Sequence, residues 1–211
     1  MRRFLPLALA CLASLPAIAA TVDRIAALVD RQVLTVSEVG QMATLRFFAR
    51  PANQSDDDYR HAILDELISQ SLRYRDVERF GAQDIPKDSI QARLLEIQGR
   101  FASPAEFAAA MSKAELTPDD VTGLIKRQLQ LEAYIQERFS PMIFVSTEDI
   151  ETYYKGTWSE QRKARGLTIP PLSDVQADIR ALLKSSQLQT EITTWTTQLR
   201  ARANVDVYAW R

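Results

Sequence analysis

The chain of 211 residues is poor in the residues on which many enzymes depend: it has one cysteine, Cys11, one histidine, His61, and six glycines. One cysteine cannot form an internal disulfide, and a lone histidine cannot supply the usual zinc ligands. So few glycines leave no phosphate-binding loop, and no Gly-x-Ser-x-Gly turn presents a serine nucleophile. We therefore expect no catalytic residues, no metal and no cofactor, and we interpret His61 as a solvated helix residue.

No apolar run reaches the roughly 20 residues of a membrane-spanning helix. The longest largely apolar stretch, Leu5–Leu15, follows two arginines and leads through Pro16 into small residues. A basic start, a short apolar segment and small residues are typical of a secretory signal peptide. We therefore predict that residues 1–20 are a signal peptide removed after about Ala19 or Ala20, which implies export and no stable membrane insertion.

An excess of basic charge is also lacking. Without Arg2 and Arg3, the 26 basic side chains fall to 24 against 27 acidic ones, a net charge of −3. No basic face stands out, so nucleic-acid binding is not expected. A mature chain of about 190 residues can bury on the order of 70% of its unfolded surface, which is enough for a core without disulfides.

Helix starts recur along the sequence as a hydroxyl residue followed by acids. Thr35–Glu38 is a capping box and predicts a helix that runs to about Arg50. We interpret Asp56–Asp58 as favourable charges at a helix N-terminus rather than a cation site, because the glycine and distal glutamate of an EF-hand loop are missing. Further helices are predicted after Pro86, Ser103, Thr117, Ser146 and Ser173, with a helical fragment at Ser159–Ala164.

Short alternating or apolar segments stand at both ends of the mature chain. Val22–Val29 and Val33–Leu34 predict a hairpin, and Val205–Tyr208 predicts an edge strand. Because two strands alone are marginal, we expect the C-terminal strand to pair with the hairpin. The predicted fold is mainly α: a bundle of about six to seven amphipathic helices with a short N-terminal β-hairpin and a C-terminal strand.

Aromatic side chains in neighbouring positions are the candidates for a binding surface. Neighbours on a helix point about 100° apart, so both members of a pair rarely enter the same core. The alternative is that these aromatics are ordinary core residues. The candidate peptide-binding residues are Phe47, Phe48, Tyr153, Tyr154 and Trp158.

Several stretches of the chain together form a pattern that is more specific than any one of them. They are Val22–Asp30 with Val33–Thr35 and Ser37–Glu38; Arg60–Ile68, running on to Gly81; Ile125–Leu129; Val145–Ser146 with Tyr153–Tyr154; and Ile179–Val207 with Trp195 and Leu199. In this order they resemble the core of the SurA-type periplasmic chaperones, the SurA N-terminal domain family. The resemblance covers nearly all of the mature chain.

One departure from that family changes the functional expectation. In the family, parvulin-type prolyl-isomerase domains usually precede the C-terminal helix, but here Lys155–Leu172 has only 18 residues where a compact domain needs at least about 50. The resemblance therefore implies a helical domain at 21–154, a linker at 155–172 in place of the isomerase, and a C-terminal helix and strand at 173–211 that complete the same core.

The resemblance implies an ATP-independent chaperone that binds unfolded outer-membrane or secreted polypeptides, without isomerase activity. Two alternatives stay open. In the first, the chain belongs to a family that is named for prolyl isomerases but has no isomerase activity itself. In the second, it is a structural or adaptor protein with one fixed partner. A homodimer formed by exchange of the C-terminal helix is a further alternative, since the linker would permit such an exchange.

Overall fold

The computed structural model describes residues 23–208, and within them helices predominate. The predicted signal peptide at 1–20 lies outside the described residues. The elements in chain order are β1 (Ile25–Val29), β2 (Gln32–Thr35), α1 (Val36–Thr44), α2 (Asp56–Phe80), α3 (Lys87–Gln98), α4 (Pro104–Lys113), α5 (Pro118–Phe139), α6 (Thr147–Tyr153), α7 (Ser159–Ala164), α8 (Leu172–Arg202) and β3 (Val205–Val207). The predicted mainly α fold is confirmed.

The two ends of the described chain meet in a three-stranded antiparallel sheet of order β2-β1-β3. Ala27 pairs with Val207 and Val29 with Val205, so the predicted pairing of the C-terminal strand is confirmed. Asp30 takes a left-handed conformation in the β1–β2 turn, which aspartate tolerates better than most residues. Its N–H donates to the Asn204 carbonyl at 2.7 Å, and its carboxylate accepts from the Asn204 N–H at 2.8 Å.

Most predicted helix starts are confirmed because capping depends on local chemistry. Capping boxes join Thr35 to Glu38, Thr117 to Asp120 and Ser146 to Asp149. Ser55 and Ser103 also accept hydrogen bonds from the backbone of the first turn.

The predicted end of α1 at Arg50 is wrong, since the helix ends at Thr44. Arg46 adopts a left-handed conformation, its N–H donates to the Ala43 carbonyl, and the Phe47 N–H donates to the Met42 carbonyl. These two bonds form a Schellman motif, which satisfies the last carbonyls of a helix and turns the chain away. Buried Phe47 and Met42 supply the apolar contact that accompanies this motif.

The start of α8 is also corrected, from a cap at Ser173 to a helix that begins at Leu172 behind Pro171. The fixed φ of proline suits the residue that enters a helix, so no hydroxyl cap is required. Ser173 instead donates a hydrogen bond from its hydroxyl to the Asp174 carboxylate at 2.9 Å.

Within residues 23–208, the buried apolar side chains form three clusters. The main core lies between the sheet and α1–α5, and a second cluster joins α2 and α5 to the C-terminal half of α8 through Trp195. A third cluster joins Val145 and Ile150 to Ile179 in the first half of α8. With 31 residues, α8 is about 46 Å long and connects the second cluster to the third.

The segment between α6 and α8 is largely ordered by local contacts. The helix axis kinks at Gly156, and α7 follows over the range that was predicted for a helical fragment, Ser159–Ala164. The Tyr154 hydroxyl donates to the Pro170 carbonyl at 2.7 Å, which ties the end of this segment back to α6. None of the helices described between residues 23 and 208 is long and apolar enough to cross a bilayer.

Candidate functional site

A groove of about 500 Å³ lies on one side of the main core, between α5 and the unit formed by β2 and α1. Its apolar lining consists of Leu34, Met42, Phe47, Phe48, Leu67, Leu116 and Leu124. Its polar and small lining residues are Gln32, Glu38, Gln41, Gln70, Ser71, Asp119, Asp120, Gly123, Arg127 and Gln128.

The Schellman motif at the end of α1 places the first two predicted aromatics in this groove. Phe47 is 5% exposed and belongs mainly to the core, whereas Phe48 is half-buried, and their rings meet edge to face at 5.6 Å. The Phe48 carbonyl accepts a hydrogen bond from the Tyr59 hydroxyl at 2.7 Å, and the Phe47 carbonyl accepts one from Arg100 at 2.7 Å. These bonds hold the backbone of the pair while part of the apolar surface stays open.

Half-buried glutamines line the groove from four different elements: Gln32, Gln41, Gln70 and Gln128. Ser71 donates to the Gln32 side-chain oxygen, and Gln41 donates to the Ala114 carbonyl at 3.1 Å. Gln70 donates to Glu66 at 3.0 Å. Each of these three amides keeps a donor or an acceptor group available. Within residues 23–208, Gln128 makes no hydrogen bond through its side chain, so both of its groups are available.

The charges of the groove are mostly negative. Glu38, Asp119 and Asp120 line it, and Arg127 is the one cation among the lining residues within 23–208. Hydrogen bonds from the Thr117 side chain and backbone lower the pKa of Asp120, so this carboxylate stays ionised well below neutral pH. Arg127 carries its guanidinium 4.0 Å from the centre of the Tyr74 ring.

The other three predicted aromatics lie elsewhere, in the third cluster beside the first half of α8. Tyr153, Tyr154 and Trp158 are half-buried there. The rings of Tyr154 and Trp158 stack at 5.4 Å, and the Arg162 guanidinium covers Trp158 at 4.8 Å. The structure therefore divides the five candidate residues between two places rather than gathering them on one surface.

The titratable residues that the sequence made conspicuous do not gather into a reactive site. His61 is exposed on α2, with its Nδ1 2.8 Å from the Asp57 carbonyl oxygen. The Ser55 hydroxyl accepts from the Asp58 N–H at 3.1 Å, as expected for a helix start. Across the part of the chain that the structure describes, no three His, Cys, Asp or Glu side chains are grouped so that they could hold a metal ion.

Several groove residues were not among the sequence candidates. The four glutamines lie far apart in sequence, and leucines such as Leu67 and Leu124 fit the apolar stripes of ordinary helices. The one local signal was Gly123, because a glycine inside a helix costs about 1 kcal/mol relative to alanine. In the structure this glycine lines the groove.

The geometry defines a class of protein rather than a reaction: a helical frame around an open, partly apolar groove with a polar rim. No family model matches the chain. No curated protein is significantly similar to it.

Proposed function

We propose that the chain is an ATP-independent periplasmic chaperone that binds unfolded outer-membrane or secreted polypeptides. The observation that carries the proposal is the open groove of about 500 Å³, with half-buried Phe48, Leu67 and Leu124 among its lining residues. The sequence resemblance to the SurA-type chaperone core supports the same assignment.

A holding chaperone has to present apolar surface to unfolded chains and remain in solution itself. The groove meets the first requirement through the apolar residues of its lining, and its amides and carboxylates meet the second. Binding of unfolded chains lowers their free concentration, and aggregation slows because it depends on that concentration. No nucleotide is needed for this action, since release follows from the weakness of each contact.

The proposal includes no prolyl-isomerase activity. Residues 155–172 begin with the second half of a kinked helical segment, continue through α7, and end with a short connection into α8. This stretch is too short for a compact domain. A proline-peptide isomerisation assay tests this part, and any clear rate enhancement over the spontaneous reaction would contradict it.

The direct test measures aggregation of an unfolded porin after dilution from urea, followed by light scattering. We expect a several-fold excess of the protein to delay aggregation, and an equal mass of an inert globular protein to have no effect. Several unrelated unfolded clients should be protected, because an adaptor with one fixed partner would protect at most one. Unchanged aggregation of every client would refute the chaperone assignment.

A further inference from the structure

We infer that the groove binds extended polypeptide segments in which apolar side chains are flanked by a basic residue, and that glutamine side chains hydrogen-bond the backbone of the bound segment. This inference rests on the proposed chaperone function, for which it names the binding site and the chemistry of the ligand.

The apolar floor explains why such a segment should enter. Phe48, Leu67, Leu116 and Leu124 pack on the main core but remain only partly buried. Burial of their remaining surface by an apolar side chain of a ligand is favourable at about 25 cal/mol per Å². The groove is open, so an extended chain can lie along it without having to end there.

The glutamines explain why the ligand should be a polypeptide. An unfolded chain presents alternating N–H and C=O groups, and a side-chain amide offers both a donor and an acceptor. Gln32, Gln41, Gln70 and Gln128 approach the groove from β2, α1, α2 and α5, and each retains an available polar group. Hydrogen bonds of this kind recognise the backbone and leave the side-chain sequence unconstrained, which suits a protein with many clients.

The charges explain the preference for a basic flank. Among the described lining residues are three carboxylates and one guanidinium, so the formal net charge of the groove is −2. Asp119 is exposed near the start of α5 and is free of the capping role that Asp120 performs. A lysine or arginine of the ligand is attracted here, whereas a glutamate is repelled.

Gly123 allows the groove to be blocked without damage to the core. A Cβ built on Gly123 meets no atom within 4 Å, and the residue lies inside a regular helix. The G123L substitution therefore places a side chain in the groove and should not lower the melting temperature, because leucine has the higher helix propensity. Gly40 is the matched control, since it is also helical with open space at its Cβ but does not line the groove.

The experiment measures dissociation constants by fluorescence anisotropy for labelled peptides of about ten residues, long enough to span roughly 33 Å when extended. Three peptides share one apolar centre and differ only in having lysine, glutamine or glutamate flanks. The wild-type protein should bind the lysine peptide up to about fivefold more tightly than the glutamine peptide, the range of one exposed ion pair, and the glutamate peptide most weakly.

G123L should weaken binding of the lysine peptide about 30-fold, as loss of one hot-spot contact does, while G40L should bind like the wild type. D119K should remove the preference for the lysine peptide over the glutamine peptide, because it replaces the attracting carboxylate with a cation. Equal binding of all three peptides by the wild type, or full binding by G123L, would overturn the inference.

The same variants separate this inference from the chaperone proposal. If G123L loses peptide binding but still protects an unfolded porin, the inference about client recognition is wrong and the chaperone assignment stands. If the wild type binds peptides with the expected preference but protects no client, the chaperone assignment fails and the groove chemistry stands.

Discussion

The side chain of Trp195 offers the sharpest test of whether both ends of the chain share one core. It lies in the second half of α8, is 6% exposed, and packs against Val77 of α2 and Phe139 of α5. Its ring centre is 5.2 Å from that of Phe139, and its indole N–H donates to the Asp76 carboxylate at 3.3 Å. We expect Trp195→Ala to be strongly destabilising.

The magnitude follows from the area that is lost. A buried tryptophan removes up to about 250 Å² from water, which is worth roughly 6 kcal/mol at 25 cal/mol per Å² as an upper bound. Alanine retains the Cβ, and measured truncations of this kind cost about 3–5 kcal/mol. For a protein of this size the melting temperature should fall by roughly 6–20 °C, since each kcal/mol shifts it by about 2–4 °C.

The assay is urea and thermal unfolding followed by far-ultraviolet circular dichroism, which does not depend on the deleted fluorophore. Trp195→Phe should lower the free energy of unfolding by less than half as much as Trp195→Ala, because it keeps an aromatic ring. It should still lower it somewhat, because the hydrogen bond to Asp76 is lost. The matched control, Trp158→Ala, removes a half-buried ring from the third cluster and should cost less than Trp195→Ala. A loss below about 1 kcal/mol for Trp195→Ala would mean that α8 is not docked on α2 and α5, and the shared core would have to be abandoned.

Three further predictions follow from individual contacts. The hydrogen bond from the Asn204 N–H and the charge of Arg75 lower the pKa of Asp30 in the folded protein. The stability that this carboxylate provides is therefore present above about pH 4 and is lost as the pH falls through the lower folded-state pKa. D30N should make the dependence of stability on acid pH less steep in a titration followed by circular dichroism, and an unchanged slope would contradict this. Glu115 has a left-handed backbone conformation just after α4, which glycine adopts at no steric cost. E115G should therefore raise the free energy of unfolding in urea by about 0.5–1 kcal/mol, and E115A should not. Equal free energies of unfolding for the two variants would refute this role of the backbone conformation. If α8 docks on its own chain, the unfolding midpoint should not change over a hundredfold range of protein concentration, whereas a midpoint that rises with concentration would favour a dimer formed by helix exchange.

The sequence was most informative where structure depends on neighbours in the chain. The helix starts at Thr35, Thr117 and Ser146 were predictable because a hydroxyl and a carboxylate three residues apart satisfy the first N–H groups of a helix. The end of α1 was not predictable in the same way. A Schellman motif usually has glycine in its left-handed position, and here that position holds Arg46.

The candidate site was predicted only in part, because a groove is a tertiary feature. Phe47 and Phe48 line it, but Tyr153 and Tyr154 belong to a separate cluster, and nothing in the local sequence of either pair distinguishes the two situations. The glutamines at 32, 41, 70 and 128 lie on four elements, and their convergence follows from how those elements pack. The adjacency of two aromatics in the sequence therefore does not indicate which surface they share with other residues.

A groove with apolar residues in its lining remains open only if its walls are held apart by contacts outside it. The structure provides such contacts for α5, which forms one wall of the groove. Tyr74 of α2 donates from its hydroxyl to Gln130 of α5 at 2.8 Å, and Arg93 of α3 forms a bidentate pair with Glu132 of α5. The width of the groove therefore depends on side chains that a bound segment does not have to displace. Because of this, the core does not have to open before a segment binds. Such a preformed site can act without ATP, because association and release require no conformational work from the protein.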